Sequence, residues 1–230
     1  MSTTIYRQTL TLDRSRAARD VGALHKLIMA GYQHALDGGH DNARHRLNSL
    51  FLAQRPAPSF QGNQYPPVAR DASKVLVQAN TVGEWDPGLG VTASAPITVD
   101  FSLNEGDTVE VQTLTNPTRS LPPEPRGDGT FKRGKRVVIT DAGEVASWFV
   151  RVMGDHGLLL EPHQVTVGYP ERLRGVRDKN GKRSSLIFDV RLLRGVGVIT
   201  DPEAFMQAVL DGIGRGRPYG AGLIRHRRVA

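Results

Sequence analysis

Nine residues near the middle of the chain, Leu121-Pro122-Pro123-Glu124-Pro125-Arg126-Gly127-Asp128-Gly129, hold three prolines and two glycines. Proline has no amide donor and glycine loses the most backbone freedom on ordering, so such a run breaks both helices and central strands. It divides the 230 residues into two parts, each long enough to bury a small core of its own. Residues 4–12 are rich in β-formers and alternate, which predicts a strand. Residues 16–35 shift to helical period, with Val21, Leu24, Ile28 and Tyr32 on one face, and Gly38-Gly39 ends that run. Leu47–Leu52 and Lys74–Gln78 read as further strands around a proline-containing loop, Pro56–Pro67. Extended chain follows at Ile97–Phe101 and Thr108–Leu114, before Asn116-Pro117, with only a weak position for a second helix.

The second part repeats the order. Arg136–Thr140 reads as a short strand, and Asp141-Ala142-Gly143-Glu144 as a capping box for a helix burying Val145, Phe149 and Val152. Leu158–Val167 and Leu186–Leu193 read as paired strands joined by a basic loop. Asp201-Pro202-Glu203 places a cap and a first-turn proline ahead of a helix carrying Phe205, Ala208 and Val209. Gly212 stops that helix, and Ala221–Ile224 opens the last strand. Two successive βαββαβ patterns predict an α+β chain of two tandem ferredoxin-like (RRM-like) domains, at 1–118 and 136–230, with a basic linker at 119–135. The RNA-recognition strand signature Lys/Arg-Gly-Phe/Tyr-Gly/Ala-Phe-Val-x-Phe/Tyr is not met, and this topology hosts many unrelated functions.

From Gly212 the chain reads Gly-Ile-Gly-Arg-Gly-Arg-Pro-Tyr-Gly-Ala-Gly. The run holds Gly212, Gly214, Gly216, Gly220 and Gly222, interleaved with Arg215 and Arg217. Glycines let a backbone turn successive amides outward as an anion-binding nest, and arginine suits bidentate phosphate contact. The helix-to-strand order excludes the dinucleotide fingerprint, which needs strand, glycine loop, then helix. A phosphate-binding loop and a tight basic turn are both consistent with the run.

Lysine and arginine number 30 against 23 acids, a net charge of +7. That balance favours a polyanionic partner, most simply nucleic acid. The basic residues gather in three places: Arg119 with Lys132-Arg133-Gly134-Lys135-Arg136, then Arg174 and Arg177 with Lys179–Arg183, then Arg215 and Arg217. Each alone is an ordinary solvated loop, and their joint appearance favours phosphate contacts. Cysteine is absent, which removes disulfides, thiolate zinc sites and a cysteine nucleophile. With no signal peptide and no stretch as long as a membrane span, the expectation is a soluble, cytoplasmic protein without membrane contact.

Of seven histidines, no two have metal-ligand spacing on a helix, so no metal or cofactor is expected. His34, His40 and His45 lie in a polar stretch, and His226 sits among Arg225, Arg227 and Arg228, where contact with an anion is its natural role. His25 differs: it lies mid-helix at the edge of the apolar face set by Leu24 and Ile28. By itself a histidine at such an edge is more often an ordinary partly buried side chain than a catalytic one. No Gly-x-Ser-x-Gly elbow and no acidic two-metal cluster is found. The remaining route to nucleic-acid cleavage is metal-free: RNA supplies its own 2′-hydroxyl nucleophile, and a base, an acid and cations suffice.

At this point several segments fit one family in order. Gly212–Leu223 resembles the C-terminal glycine-rich motif of CRISPR repeat-RNA endoribonucleases, and more narrowly that of the CasE (Cse3) family of type I-E systems. Ala23-Leu24-His25-Lys26 is similar to the first-helix motif carrying that family's catalytic histidine. Val75-Leu76-Val77-Gln78 with Trp85, Asn116-Pro117-Thr118-Arg119, Gly134-Lys135-Arg136-Val137 and Gly195 to Asp201-Pro202 match further segments. The resemblance implies a metal-independent endoribonuclease that cuts precursor CRISPR RNA at the base of the repeat stem-loop. It implies a 2′,3′-cyclic phosphate and a 5′-hydroxyl as product ends. The enzyme then keeps the hairpin as a subunit of the Cascade complex. It makes His25 the general acid/base, and Lys135 and Arg136 part of an element gripping the RNA stem. A non-catalytic or weakly catalytic hairpin-binding subunit is the alternative. The chain departs from the family at Gly22, where an aromatic residue is common, and at Thr113 and Thr115, where arginines are common. Tyr32 and Tyr219 are the tyrosines that could replace the missing hydroxyl.

Overall fold

The computed structural model describes residues 4–12, 20–36, 43–54, 74–127, 130–132, 134–179 and 182–229. In chain order the elements are β1 (Tyr6–Leu12), α1 (Val21–Ala30), α2 (Ala43–Arg46), β2 (Leu50–Gln54), β3 (Lys74–Ala79), β4 (Val91–Ala93), β5 (Ile97–Thr98), β6 (Thr108–Thr115) and β7 (Thr118–Ser120). Then follow β8 (Glu124–Pro125), β9 (Phe131–Lys132), β10 (Arg136–Val138), α3 (Ala142–Gly154), β11 (Leu158–Leu159), β12 (Thr166–Val167), β13 (Glu171–Lys179), β14 (Lys182–Ile199), α4 (Pro202–Asp211) and β15 (Ile224–Arg228).

The strands form two main antiparallel sheets. The first runs β2-β3-β1-β4, with β5 also on β1; the second runs β11-β14-β6-β15, with β12 and β13 also on β14. Taken in chain order within each module, both sheets have the order 2-3-1-4, and the molecule is a double ferredoxin-like fold. In the first module the second helix is reduced to a single 3-10 turn, Pro87–Leu89.

Three expectations change. The strand at 108–115, assigned to the first half, pairs with both β14 and β15 and is central in the second sheet. The strand at 136–138, expected to open the second half, pairs with β7 in a separate two-stranded extension. The boundaries 1–118 and 136–230 therefore do not follow the sheets. The chain leaves the first sheet after β5, and β7 to β10 are an insertion between the first strand and first helix of the second. The stretch expected as a basic loop is a long hairpin, β13 paired with β14 from Glu171↔Val190 to Lys179↔Lys182.

The caps at Asp141 and Asp201 follow the sequence, and a third lies at Asp20. Asp141 accepts from the Glu144 amide at 2.8 Å, Asp201 from that of Ala204 at 3.0 Å, and Asp20 from those of Gly22 and Ala23. α1 stops at Gly31, earlier than its periodicity predicts: the Gly31 carbonyl accepts from the Glu84 amide at 2.7 Å, and only glycine fits there because the Trp85 ring lies 2.2 Å from the Cβ position. The Trp85 indole donates to the Leu27 carbonyl at 3.1 Å.

Each module has its own core. Leu10, Leu24, Ile28, Tyr32, Val75 and Val77 centre the first; Val109, Val111, Phe149, Leu193 and Phe205 centre the second. A third cluster joins them: Leu50, Leu52 and Leu76 of the first module meet Leu114, Val190, Ala221 and Leu223 of the second. At its edge lies a polar clamp. Arg7 donates to the Gln78 side-chain oxygen at 3.0 and 2.8 Å and to the Ile224 carbonyl at 2.7 Å. Gln78, fully buried, donates in turn to the Val209 carbonyl at 2.7 Å. Burial, then the charge of Arg225, lowers the Arg7 guanidinium to about 10. Arg194 and Arg227 converge on buried Glu110 of β6. Burial alone would raise that carboxyl, but the two arginines outweigh it and hold it below its ordinary value.

Candidate active site

His25 lies half-buried on α1, beside the glycine-rich turn. Its ring centroid stands 5.7 Å from that of Tyr219, with the planes tilted by 59°. The Tyr219 ring also stacks on Phe188 of β14, at 5.5 Å and 23°. Three parts of the chain, α1, β14 and the turn after α4, thus meet in one aromatic cluster.

The turn takes this shape because its glycines are packed from several sides. Gly212, Gly214, Gly216, Gly220 and Gly222 all have positive φ, the region glycine enters without strain. A Cβ at Gly220 would lie 2.7 Å from the Phe51 ring, and one at Gly222 would lie 2.3 Å from the Ile213 carbonyl oxygen. Gly214 differs in being exposed, yet its Cβ position also points inward, 2.5 Å from the Thr115 hydroxyl oxygen. The amides of Ile213, Tyr219, Ala221 and Gly222 donate to the carbonyls of Gly222, Gly216, Gly216 and Leu114. These four groups are spent inside the fold. Of the two readings of the run, the tight turn accounts for the geometry of Gly212, Gly214, Gly216, Gly220 and Gly222: each admits a positive φ and a close approach of neighbouring chain. Arg217 is also used internally: its guanidinium donates to the Asp211 and Gly212 carbonyls at 3.1 and 3.3 Å, satisfying the end of α4. Arg215 is exposed, and its backbone bridges to Asn116.

The hairpin strand β13 lies across the start of α1. Val176 donates its amide to Asp20 at 3.3 Å. A Cβ at Gly175 would lie 2.8 Å from both the Asp20 carboxylate and the Gly22 amide, and one at Gly22 would lie 2.1 Å from the Val176 carbonyl oxygen. No side chain fits at position 22 in this arrangement. The same contact sets Arg174 and Arg177, both exposed, on the strand beside the helix that carries His25.

The other basic residues stand on the insertion. Lys135 and Arg136 are exposed, with Arg136 opposite Ser120 in the β7–β10 pair. Arg119 is exposed but ion-paired with Glu144 of α3 at 2.9 Å. Arg133 and the Lys132 side chain lie outside the described residues, as do His40 and the His45 side chain. The insertion is joined to the turn at its base, where Asn116 bridges to Arg215 and donates to the Asp189 carbonyl at 2.5 Å. His25, Tyr219 and the β13 strand thus come together, while Arg119, Lys135 and Arg136 occupy a second basic surface.

Thr113 and Thr115 are fully buried on the face of β6 that also carries Val109 and Val111, so neither position offers a cation. His226 does not reach outward for an anion. Its ring stacks on Phe101, stands edge-on to Phe205, and meets the Asp100 carbonyl at 3.1 Å. Burial first, then the charge of Arg7, lowers its pKa, against the opposing contacts of Asp100. Phe188, which stacks under Tyr219, carries no sequence signal beyond its place in an alternating strand. Asp20 does carry one, as an acidic residue just ahead of a helix. Among the described residues, no three histidine or acidic side chains come together as metal ligands would, and no helix is long and apolar enough to cross a membrane.

Comparison with known proteins agrees with this picture. A family model described as "CRISPR associated protein" matches residues 5–228. The CRISPR-associated endoribonuclease Cse3 of Thermus thermophilus is 26% identical over 223 residues, 91% of this chain and 93% of that protein. Among solved structures, Thermus thermophilus Cse3 bound to an RNA representing a pre-cleavage complex superposes with a TM-score of 0.69 at 23% identity, covering 97% of this chain and 98% of that one. A chain of a CRISPR RNA-guided surveillance complex in a pre-nicking state superposes at 0.64 and 21% identity, covering 97% and 100%. The chain belongs to the CRISPR-associated protein family that this model describes, in agreement with its resemblance to CasE (Cse3).

Proposed function

We propose that this protein is a metal-independent endoribonuclease that cuts precursor CRISPR RNA at the base of the repeat stem-loop. It then stays on the hairpin as a cytoplasmic Cascade subunit. The observation that carries this reading is the position of His25, half-buried against Tyr219, with the arginine-bearing strand β13 along the start of its helix. The named activity of the Cse3 relative supports it.

In this reaction the 2′-oxygen attacks the adjacent phosphorus and the bond to the 5′-oxygen breaks. The 2′-hydroxyl gives up a proton and the leaving 5′-oxygen gains one, yielding a 2′,3′-cyclic phosphate and a 5′-hydroxyl. His25 is the group that moves a proton, since imidazole titrates near neutrality. Arg174, Arg177 and Arg215 offer charge-assisted contacts to the backbone phosphates, while Lys135 and Arg136 stand on the insertion to hold the stem. The glycine turn acts by presenting Tyr219 and Arg215, with Arg217 bracing its own loop.

A second reading is a hairpin-binding subunit with weak or no cleavage. It is favoured by the closed position at Gly22 and the buried threonines at 113 and 115, which leave those sites without a hydroxyl or cation for the phosphate.

The test is incubation with an RNA carrying one repeat from the CRISPR array of the same genome, in excess EDTA. The expected result is cutting by the wild type of all-ribose RNA only, none by His25→Ala, and none of RNA with a 2′-deoxy at the cleavage position. Tight hairpin binding without any wild-type cutting selects the second reading. Equal binding of repeat and scrambled hairpins at moderate salt contradicts specific recognition in both.

A further inference from the structure

Resting on the endoribonuclease reading, we infer that Tyr219 is a second catalytic residue, whose hydroxyl donates a hydrogen bond to the scissile phosphate beside His25. Cleavage builds negative charge on the non-bridging phosphate oxygens, and a fixed donor in a partly dehydrated site stabilises it. The start of α1 cannot supply that donor. Position 22 is one helical turn before His25, but the Val176 carbonyl oxygen stands 2.1 Å from where its Cβ would be. The space a side chain would need there is filled by β13.

Among the described residues two tyrosines lie near α1, and the structure separates them. Tyr32 is 1% exposed and packs edge-on against Trp85 within the first core, where burial pushes its phenol up. Its ring and hydroxyl are closed off from solvent. Tyr219 is half-buried with its ring in contact with those of His25 and Phe188, and among the described residues its hydroxyl is held by no hydrogen bond. The ring is fixed by stacking on one side and by the compact turn beneath it, while its polar end is left for a ligand. Gly216, which would press on Phe188 at 3.2 Å if it had a Cβ, keeps that stack closed. The proton inventory does not change: the Tyr219 hydroxyl keeps its proton throughout, and the transfers to and from the 2′- and 5′-oxygens remain with His25 and solvent.

The test uses the full chain and the same repeat RNA, comparing wild type, Tyr219→Phe and His25→Ala under single-turnover conditions in EDTA. Binding is measured separately on an uncleavable 2′-deoxy RNA. Tyr219→Phe keeps the ring and its stacking and loses only the hydroxyl. It is expected to cut about 100-fold more slowly, as removal of one transition-state donor does, with affinity within about twofold of wild type. The fall in rate is expected at every pH, leaving the histidine limb of the pH–rate profile in place. Cutting by Tyr219→Phe at the wild-type rate, with His25→Ala inactive, overturns the role of Tyr219 alone. An equal loss of rate and affinity also overturns it, because the hydroxyl then holds RNA rather than the transition state. A wild type that does not cut overturns the endoribonuclease reading and this one with it.

Discussion

His226 lies in a run of four basic residues, yet its imidazole turns inward against Phe101, Phe205 and the Asp100 carbonyl. Its neighbours in the strand, Arg225 and Arg227, are exposed, as alternation along β15 requires. Composition marks the run as a charged patch, and only the pairing with β6 tells which residues face the core. The consequence is a pH dependence. The folded-state pKa is lowered from 6.5, chiefly by burial, with Arg7 also adverse and Asp100 favourable. The unfolded chain therefore takes up the proton first, and stability present above about pH 6.5 is lost as the pH falls below it. His226→Phe is expected to flatten the decline of Tm between about pH 7 and 5; parallel curves for the two proteins would show that His226 is not the group responsible.

The contact between α1 and β13 shows how an element's position can be invisible in its own sequence. The caps at Asp141 and Asp201 and the stop at Gly212 were legible because each signal lies within a turn of the element it bounds. Thr108–Thr115 was legible as a strand but not as a member of the second sheet, since β-propensity says nothing about which neighbour accepts the hydrogen bonds. Gly22 reads in sequence as a missing aromatic. In the fold it is a close approach, made necessary by a carbonyl more than a hundred and fifty residues further on. Gly22→Ala is expected to lower stability by about 1–3 kcal/mol, the range for inserting a methyl into filled space, and to slow cleavage by moving His25. Thermal unfolding checks the first part, and an unchanged Tm would mean that β13 does not bear on the helix.

At the scale of the whole molecule, the two modules are held by an apolar seam and by the clamp of Arg7 and Gln78. Neither residue stood out in the sequence as a junction, because a polar residue in a strand is ordinarily solvent-facing and the partner sheet comes from the other module. The clamp fixes β1 and β3 against the end of α4 and the start of β15, on either side of the glycine turn that carries Tyr219. Gln78→Leu removes the side-chain acceptor of the Arg7 guanidinium, leaving it the Ile224 carbonyl, and takes from the Val209 carbonyl its donor. It is expected to destabilise the protein by about 3 kcal/mol in urea unfolding, and a change under about 0.5 kcal/mol would mean that the seam alone holds the modules.

The site depends on this junction, because His25 belongs to the first module and Tyr219, Phe188, Arg174 and Arg177 to the second. The family and the double ferredoxin-like fold were readable from the order of short motifs; the meeting of His25 with Tyr219 was not, since it depends on how the sheets face each other. The decisive measurement is mass spectrometry of the RNA ends left after incubation with repeat RNA in excess EDTA, for wild type and His25→Ala. The expected result is a 2′,3′-cyclic phosphate and a 5′-hydroxyl from the wild type, and intact RNA with His25→Ala. A 3′-hydroxyl and 5′-phosphate, or equal cutting by the two proteins, would contradict it.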